Sequence, residues 1–202
     1  MFTNHLPFAF AGREKAQPKE ITMGNGTADL MTRTGLKIHV RPVRTEDEPM
    51  LAEFFTHVTK EDLSFRYLTG LNEVGKERIA ALTDVDHVRT ENYLAFGESG
   101  DPLIATAMLA CDPAFERGEV AISIRADYKN RGVGWELLGF LSRVAQAKGV
   151  KVLESIERRE NRAAIEIEQQ MGFTTVTDPD DPTILLVRTQ SGVRCRRAIV
   201  AE

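Results

Sequence analysis

The sequence predicts an α+β domain built on a mixed, largely antiparallel sheet with helices on both faces. Three observations predict it. A β-branched apolar run, Glu119 to Ile124, leads through a polar loop and Gly132-Val133-Gly134 into a helical stripe that lasts to Lys148. A second strand and helix follow at once, Val150 to Ile156 and Glu160 to Met171, so these two strands should run parallel with a helix crossing between them. The remaining strand candidates are short and joined by turns, the pattern of antiparallel neighbours.

Taken in order, residues 1–35 show no sustained period, and Gly24-Asn25-Gly26 with scattered Lys, Thr and Pro reads as a mobile arm. The domain is expected over residues 36–190. Leu36 to Val43 alternates as a first strand. Thr45-Glu46-Asp47-Glu48 has capping-box spacing ahead of the stripe Met50, Leu51, Phe54, Phe55 and Val58, with Pro49 in the first turn. Thr59 to Asp62 caps a short second helix that carries Leu63, Phe65, Arg66 and Tyr67, and Lys76 to Leu82 forms a third. Asn92 to Phe96 and Pro102 to Ala110 read as strands joined by the hairpin turn Glu98-Ser99-Gly100-Asp101. In the central helix Val133, Leu137, Leu138, Leu141, Val144 and Ala145 share one face, and Gly149 stands at its C-cap. Thr174 to Thr177 and Ile184 to Arg188 close the sheet across a Pro- and Asp-rich loop. Residues 191–202, with Arg194, Arg196 and Arg197, form a tail.

Composition bounds the function. The chain has 202 residues, 42% hydrophobic and 28% charged, enough for one domain with a sizeable core. Its formal net charge of −4 gives a nucleic-acid role no support. No stretch approaches the roughly 18 apolar residues of a membrane span. Cys111 and Cys195 form no CxxC motif, which fits a reducing, cytoplasmic setting. His5, His39, His57 and His87 lack metal-ligand spacing, so no metal is expected.

The join between the Glu119 strand and the central helix carries the chemistry. A helix N-terminus has unpaired N–H groups and a partial positive charge, and glycine lets an anion approach the backbone. A phosphate or pyrophosphate is therefore expected near the amides of residues 130–135, the alternative being a tight turn without a ligand. It is not a dinucleotide fingerprint, because Leu137 stands where the third glycine belongs. Nor is it a P-loop, because Trp135-Glu136 follows Gly134.

Lys129-Asn130-Arg131-Gly132-Val133-Gly134 resembles the pyrophosphate loop of the GNAT superfamily of N-acetyltransferases, Gln/Arg-x-x-Gly-x-Gly/Ala, with Lys129 departing from the usual first residue. Asn161-Arg162-Ala163-Ala164, followed by Met171-Gly172-Phe173, resembles the family's second signature. The likeness runs from about Lys37 to Arg188. The Glu119 strand, Asp127-Tyr128 and Leu63 to Tyr67 look most like the bacterial protein-lysine acetyltransferase branch.

That resemblance implies acetyl-CoA as co-substrate. Its binding residues would be Ile122, Ile124, Lys129, Asn130, Arg131, Gly132, Val133, Gly134, Trp135, Asn161 and Ala164. Asn161 would bond the pantetheine arm, cap the following helix, or both. A lysine ammonium is nearly all protonated at neutral pH, so a base is needed. Glu119, alone in an apolar strand entry, is the candidate and matches the branch's general base; a strand-edge Glu in water is the other reading. A backbone amide near Ile124 to Ala126 is expected to face the oxygen that gains charge. The family's usual acid, a tyrosine seven residues after the signature asparagine, is replaced by Glu168. Arg66 and Tyr67 either pack the helix pair or flank the acceptor groove. Cys111, with no His beside it in sequence, is expected to pack rather than to act as a nucleophile. The function expected is acetylation of a protein lysine by direct transfer, in a chain that could form a homo-oligomer. A small-amine acetyltransferase and a non-catalytic acyl-CoA sensor are the alternatives.

Overall fold

The computed structural model describes residues 26–98 and 102–190. Eight strands form one sheet: β1 (Ala28–Met31), β2 (Lys37–Pro42), β3 (Thr90–Phe96), β4 (Leu103–Cys111), β5 (Arg117–Ile124), β6 (Val152–Arg158), β7 (Thr174–Thr177) and β8 (Ile184–Gln190). Their order across the sheet is β1-β2-β3-β4-β5-β6-β8-β7. Only β5 and β6 are parallel; every other neighbouring pair is antiparallel. Five α-helices cover it: α1 (Glu48–Thr56), α2 (Lys60–Tyr67), α3 (Lys76–Thr83), α4 (Val133–Ala147) and α5 (Arg162–Gln170). No helix among the described residues is long and apolar enough to cross a membrane.

The alternation of strand side chains divides the core in two. Tyr93 and Ala95 of β3 point into a large cluster with Leu137, Phe140 and Leu141 of α4. Leu94, between them, points to the other face, into a smaller cluster with Leu51, Phe54 and Phe55 of α1 and Leu63 of α2. The α4 stripe predicted from sequence is the face that is buried. Gly149 ends that helix with φ +79°, a conformation open to glycine at little cost.

Two differences from the sequence expectation stand out. Ala28–Met31 is a strand, although it lies within the stretch read as an arm. Four residues are too few to show a period, yet Ala28 and Leu30 are buried and the segment pairs with β2 from Ala28↔Val40 to Met31↔Lys37. Thr45 also does not cap α1. It begins a 3₁₀ turn, and the side chain used is Asp47, whose carboxylate accepts from the Arg44 amide at 2.8 Å and pairs with Arg41 at 2.6 and 2.7 Å. Arg41 holds the Asp47 carboxyl below the usual carboxylate range. The second expected cap forms as read: Thr59 Oγ1 accepts from the Asp62 amide at 3.1 Å. The arm before residue 26, the tip of the β3–β4 hairpin at residues 99–101, and the tail with Cys195 lie outside the described residues.

Candidate active site

The site arises because β5 and β6 do not stay together. Their parallel ladder holds Arg117↔Val152, Gly118↔Leu153 and Glu119↔Glu154, and then ends. Gly118 permits the tight start, since a Cβ there would lie 2.9 Å from Leu109 Cδ1 and 3.1 Å from Val150 Cγ1. Beyond Glu119, β5 keeps its β4 partner to Ile124, while β6 continues beside β8. A cleft of about 240 Å³ opens between the strands, walled also by α2, the start of α4 and one face of α5.

The open edge of β5 presents backbone groups into this cleft. N–H directions alternate along a strand. The Arg125 amide donates to Ile104 of β4 at 2.9 Å, so the amides of Ile122 and Ile124 point the other way, toward the gap. The Ala126 amide donates to His57 at 3.0 Å. Of the range Ile124 to Ala126 expected to offer an oxyanion donor, the last two are therefore already committed and Ile124 alone is left.

At the far end of the cleft, Asn130 and Gly132 have φ +59° and +82°. These alternating left-handed residues fold the loop back onto the N-terminus of α4 and turn successive amides the same way. A Cβ on Gly132 would lie 3.2 Å from the Thr32 side chain, and Thr34 Oγ1 donates to the Arg131 carbonyl at 3.0 Å, so the β1–β2 turn buttresses the loop. Lys129, Asn130, Gly132, Val133 and Gly134 line the cleft; Arg131 and Trp135 do not. Arg131 lies over the Tyr128 ring, and Arg33 over the Trp135 ring. Lys129 is also not a free cation, because its Nζ sits 2.7 and 2.9 Å from the Asp62 carboxylate of α2.

Glu119 stands at the apex where the ladder ends, half-buried and lining the cleft. Burial raises its carboxyl above the usual range, Arg66 opposes that rise and Glu154 adds to it. Arg66 lines the cleft from α2, its guanidinium 3.8 Å from Met108 Sδ and 5.3 Å from the Tyr67 ring centre. Burial loosens its proton, while Tyr67, Glu119 and Glu157 act in the other direction. Tyr67 is not in the cleft wall. It packs on the smaller core cluster between Arg66 and Arg78, and its hydroxyl is buried.

Asn161 and Ala164 line the cleft from the start of α5. Asn161 does not cap that helix through its side chain; its Nδ2 donates to Glu157 Oε2 at 2.6 Å. Burial pushes Glu157 up to about 7 and Glu168 up to about 8. Both line the cleft. Nothing in the sequence singles out Glu157, and Glu168 stands out there only as the replacement for the family's tyrosine. A legible signal existed for Glu168: it shares the buried stripe of α5 with Ile165, an unusual place for a charge. Cys111 is half-buried at the end of β4, and burial pushes its thiol up, the opposite of an activated nucleophile.

A single splayed parallel strand pair in an otherwise antiparallel sheet, with a glycine loop and helix N-terminus at its far end, defines an α+β fold with an anion-accepting cleft between its parallel strands. Residues 54–173 match the acetyltransferase (GNAT) family, and the chain belongs to that family, whose enzymes are N-acetyltransferases that draw on acetyl-CoA. It is 26% identical over 156 residues to the Pseudomonas aeruginosa protein named acetyltransferase PA5475, covering 76% of this chain and 84% of that one. It superposes on the GNAT domain of S. lividans PAT with a TM-score of 0.74 at 22% identity, over 81% of this chain and 96% of that domain. It superposes on a Thermoplasma acidophilum PaiA N-acetyltransferase in complex with coenzyme A with a TM-score of 0.60 at 17% identity, over 76% and 98% of the two chains.

Proposed function

We propose that this enzyme acetylates the ε-amino group of lysine in a protein acceptor by direct transfer from acetyl-CoA. The observation that carries the proposal is the free edge of β5, which begins at a half-buried Glu119 and ends at the loop before α4. A pantetheine arm is a strip of amides, and the Ile122 and Ile124 amides form a matching strip. The amides of residues 130–134 and the N-terminus of α4 suit the pyrophosphate. Asn161 and Ala164 would flank the arm from α5. Acetyl-CoA supplies the activated thioester.

Glu119 takes a proton from the acceptor ammonium, a task that its raised pKa suits. The Ile124 amide stabilises the acetyl oxygen as nitrogen adds to the carbon. Arg66 lies within electrostatic reach of Glu119 and holds that wall of the cleft; its place beside the acceptor is part of the proposal, whereas Tyr67 supports it from behind. Choosing a protein lysine over a small amine rests on the resemblance of the Glu119 strand, Asp127-Tyr128 and Leu63 to Tyr67 to the lysine-acetylating branch.

The test is thiol release from acetyl-CoA with lysine-bearing proteins and small amines as acceptors, on wild type and Glu119→Gln, with CoA affinity measured alongside. Turnover on protein acceptors that collapses in the variant at unchanged CoA affinity is the expected result. Turnover on small amines alone would replace the acceptor class. Tight CoA binding without turnover on any acceptor would leave an acyl-CoA sensor.

A further inference from the structure

Arg66 and Lys129 are the cations that line the cleft, and they are matched differently. Lys129 is paired with the Asp62 carboxylate. Arg66 has no carboxylate within ion-pair distance among the described residues. Its Nη2 meets only the Met108 thioether, a weak acceptor, and its plane lies near the Tyr67 ring. Its Nε and Nη1 have no partner among the described residues, yet they are not sealed from the surface as the Tyr67 hydroxyl is. Glu119 and Glu157 attract it from a distance, and Asn161 already occupies Glu157 Oε2.

Strand alternation decides what Arg66 can meet. Val120 points into the α4 cluster, so Glu119 and Ala121 point to the opposite face of β5. Ala121 stands opposite Met108, which packs on the α1–α2 cluster and receives the Arg66 guanidinium. Arg66 and Glu119 therefore share one face, and Ala121 has no side chain long enough to fill the space beside them. An amine drawn to Glu119 comes in on this face. A guanidinium withdrawn from water without a partner is costly, and a second cation, the acceptor ammonium, raises that cost. A carboxylate arriving with the amine offsets both, because it fits the guanidinium fork through charge-assisted hydrogen bonds.

We infer that the acceptor lysine has an acidic neighbour in its own protein, whose carboxylate Arg66 receives while Glu119 draws the ammonium. The inference rests on the protein-lysine reading above and narrows it to lysines in acidic surroundings.

The test uses blocked peptides with a single lysine and a glutamate one or two residues to either side, each with a glutamine twin. Free lysine and lysinamide form a small-molecule pair. On wild type, kcat/KM should be about tenfold higher for the best glutamate peptide than for its twin. Arg66→Gln should bring that ratio within about twofold of unity, and Arg66→Lys, which keeps the charge without the fork, should give an intermediate ratio. Calorimetry should find CoA affinity unchanged in both. A role confined to anchoring α2 or tuning Glu119 lowers the rate on both twins alike; a ratio still near tenfold in Arg66→Gln would overturn the inference. If that variant does not fold, Arg66→Met, an apolar side chain of similar reach, carries the same comparison. Wild type that acetylates both twins equally overturns this inference and leaves the lysine acceptor standing. A carboxylate preference confined to free lysine over lysinamide would give Arg66 a small amino acid instead and overturn both. Turnover on small amines with none on any peptide would likewise remove the protein-lysine reading and this inference together.

Discussion

The two edges of β5 are made by the same residues and behave oppositely. On one side it pairs with β4 without interruption from Gly118↔Cys111 to Ile124↔Ala105. On the other it pairs with β6 only as far as Glu119. The first edge joins the sheet to its main cluster and carries fold stability. The second turns the Ile122 and Ile124 amides toward a cleft rather than a neighbouring strand, an arrangement that folding alone would not favour. The difference teaches where function sits in this molecule: in the hydrogen bonds that one strand edge withholds, with a carboxylate at the point of separation.

The largest effect should come from the point of separation. Glu119→Gln is expected to lower kcat/KM on the order of a hundredfold to ten-thousandfold, read by thiol release, while calorimetry finds CoA affinity unchanged. A comparable loss of CoA affinity would instead make Glu119 part of the binding site. On the closed edge the sign of the trade reverses. Leu109→Ala removes a fully buried side chain of β4 and should cost about 2–5 kcal/mol in chemical denaturation, with CoA affinity in the folded fraction little moved. At the loop end, Gly132→Ala places a Cβ at φ +82° against Thr32, costing about 1–2 kcal/mol by strain. Its KM for acetyl-CoA should rise about tenfold, because the loop amides lose their aim.

The pH dependence of stability reads the buried wall of the same cleft. The folded-state pKa of Glu168 is raised, to about 8, so the folded protein holds a proton that the unfolded chain has lost. The stability that this proton contributes is fully present below the unfolded carboxyl pKa and is lost as pH rises through about 8. Glu168→Gln lacks that term. Its Tm relative to wild type should climb by on the order of ten degrees between about pH 5 and pH 8 and then level off, measured by circular dichroism.

Much of this architecture was legible in the residues. The α4 stripe, Gly132-Val133-Gly134 and Gly149 announced a strand–loop–helix unit because each obeys a local rule of period or backbone freedom. β1 was hidden because four residues carry no period and declare themselves only by pairing with β2. The splay of β5 from β6 is not written in β5 at all; it depends on where β6 turns to β8 and on α5 filling the gap. The pairing of Lys129 with Asp62, remote in sequence, is equally invisible in the loop motif. Glu157 could not be singled out because its burial is created by α2 and α5 closing over β6.

The open edge of β5 is tested most directly by amide hydrogen exchange, read residue by residue by NMR with and without acetyl-CoA. Protection should rise at Ile122 and Ile124, whose N–H groups face the gap, and stay level at Arg125 and Ala126, which already donate to Ile104 and His57. Protection that rises equally at all four would mean general stiffening rather than ligation. No rise at Ile122 and Ile124 would contradict the claim that this edge receives the acyl-CoA.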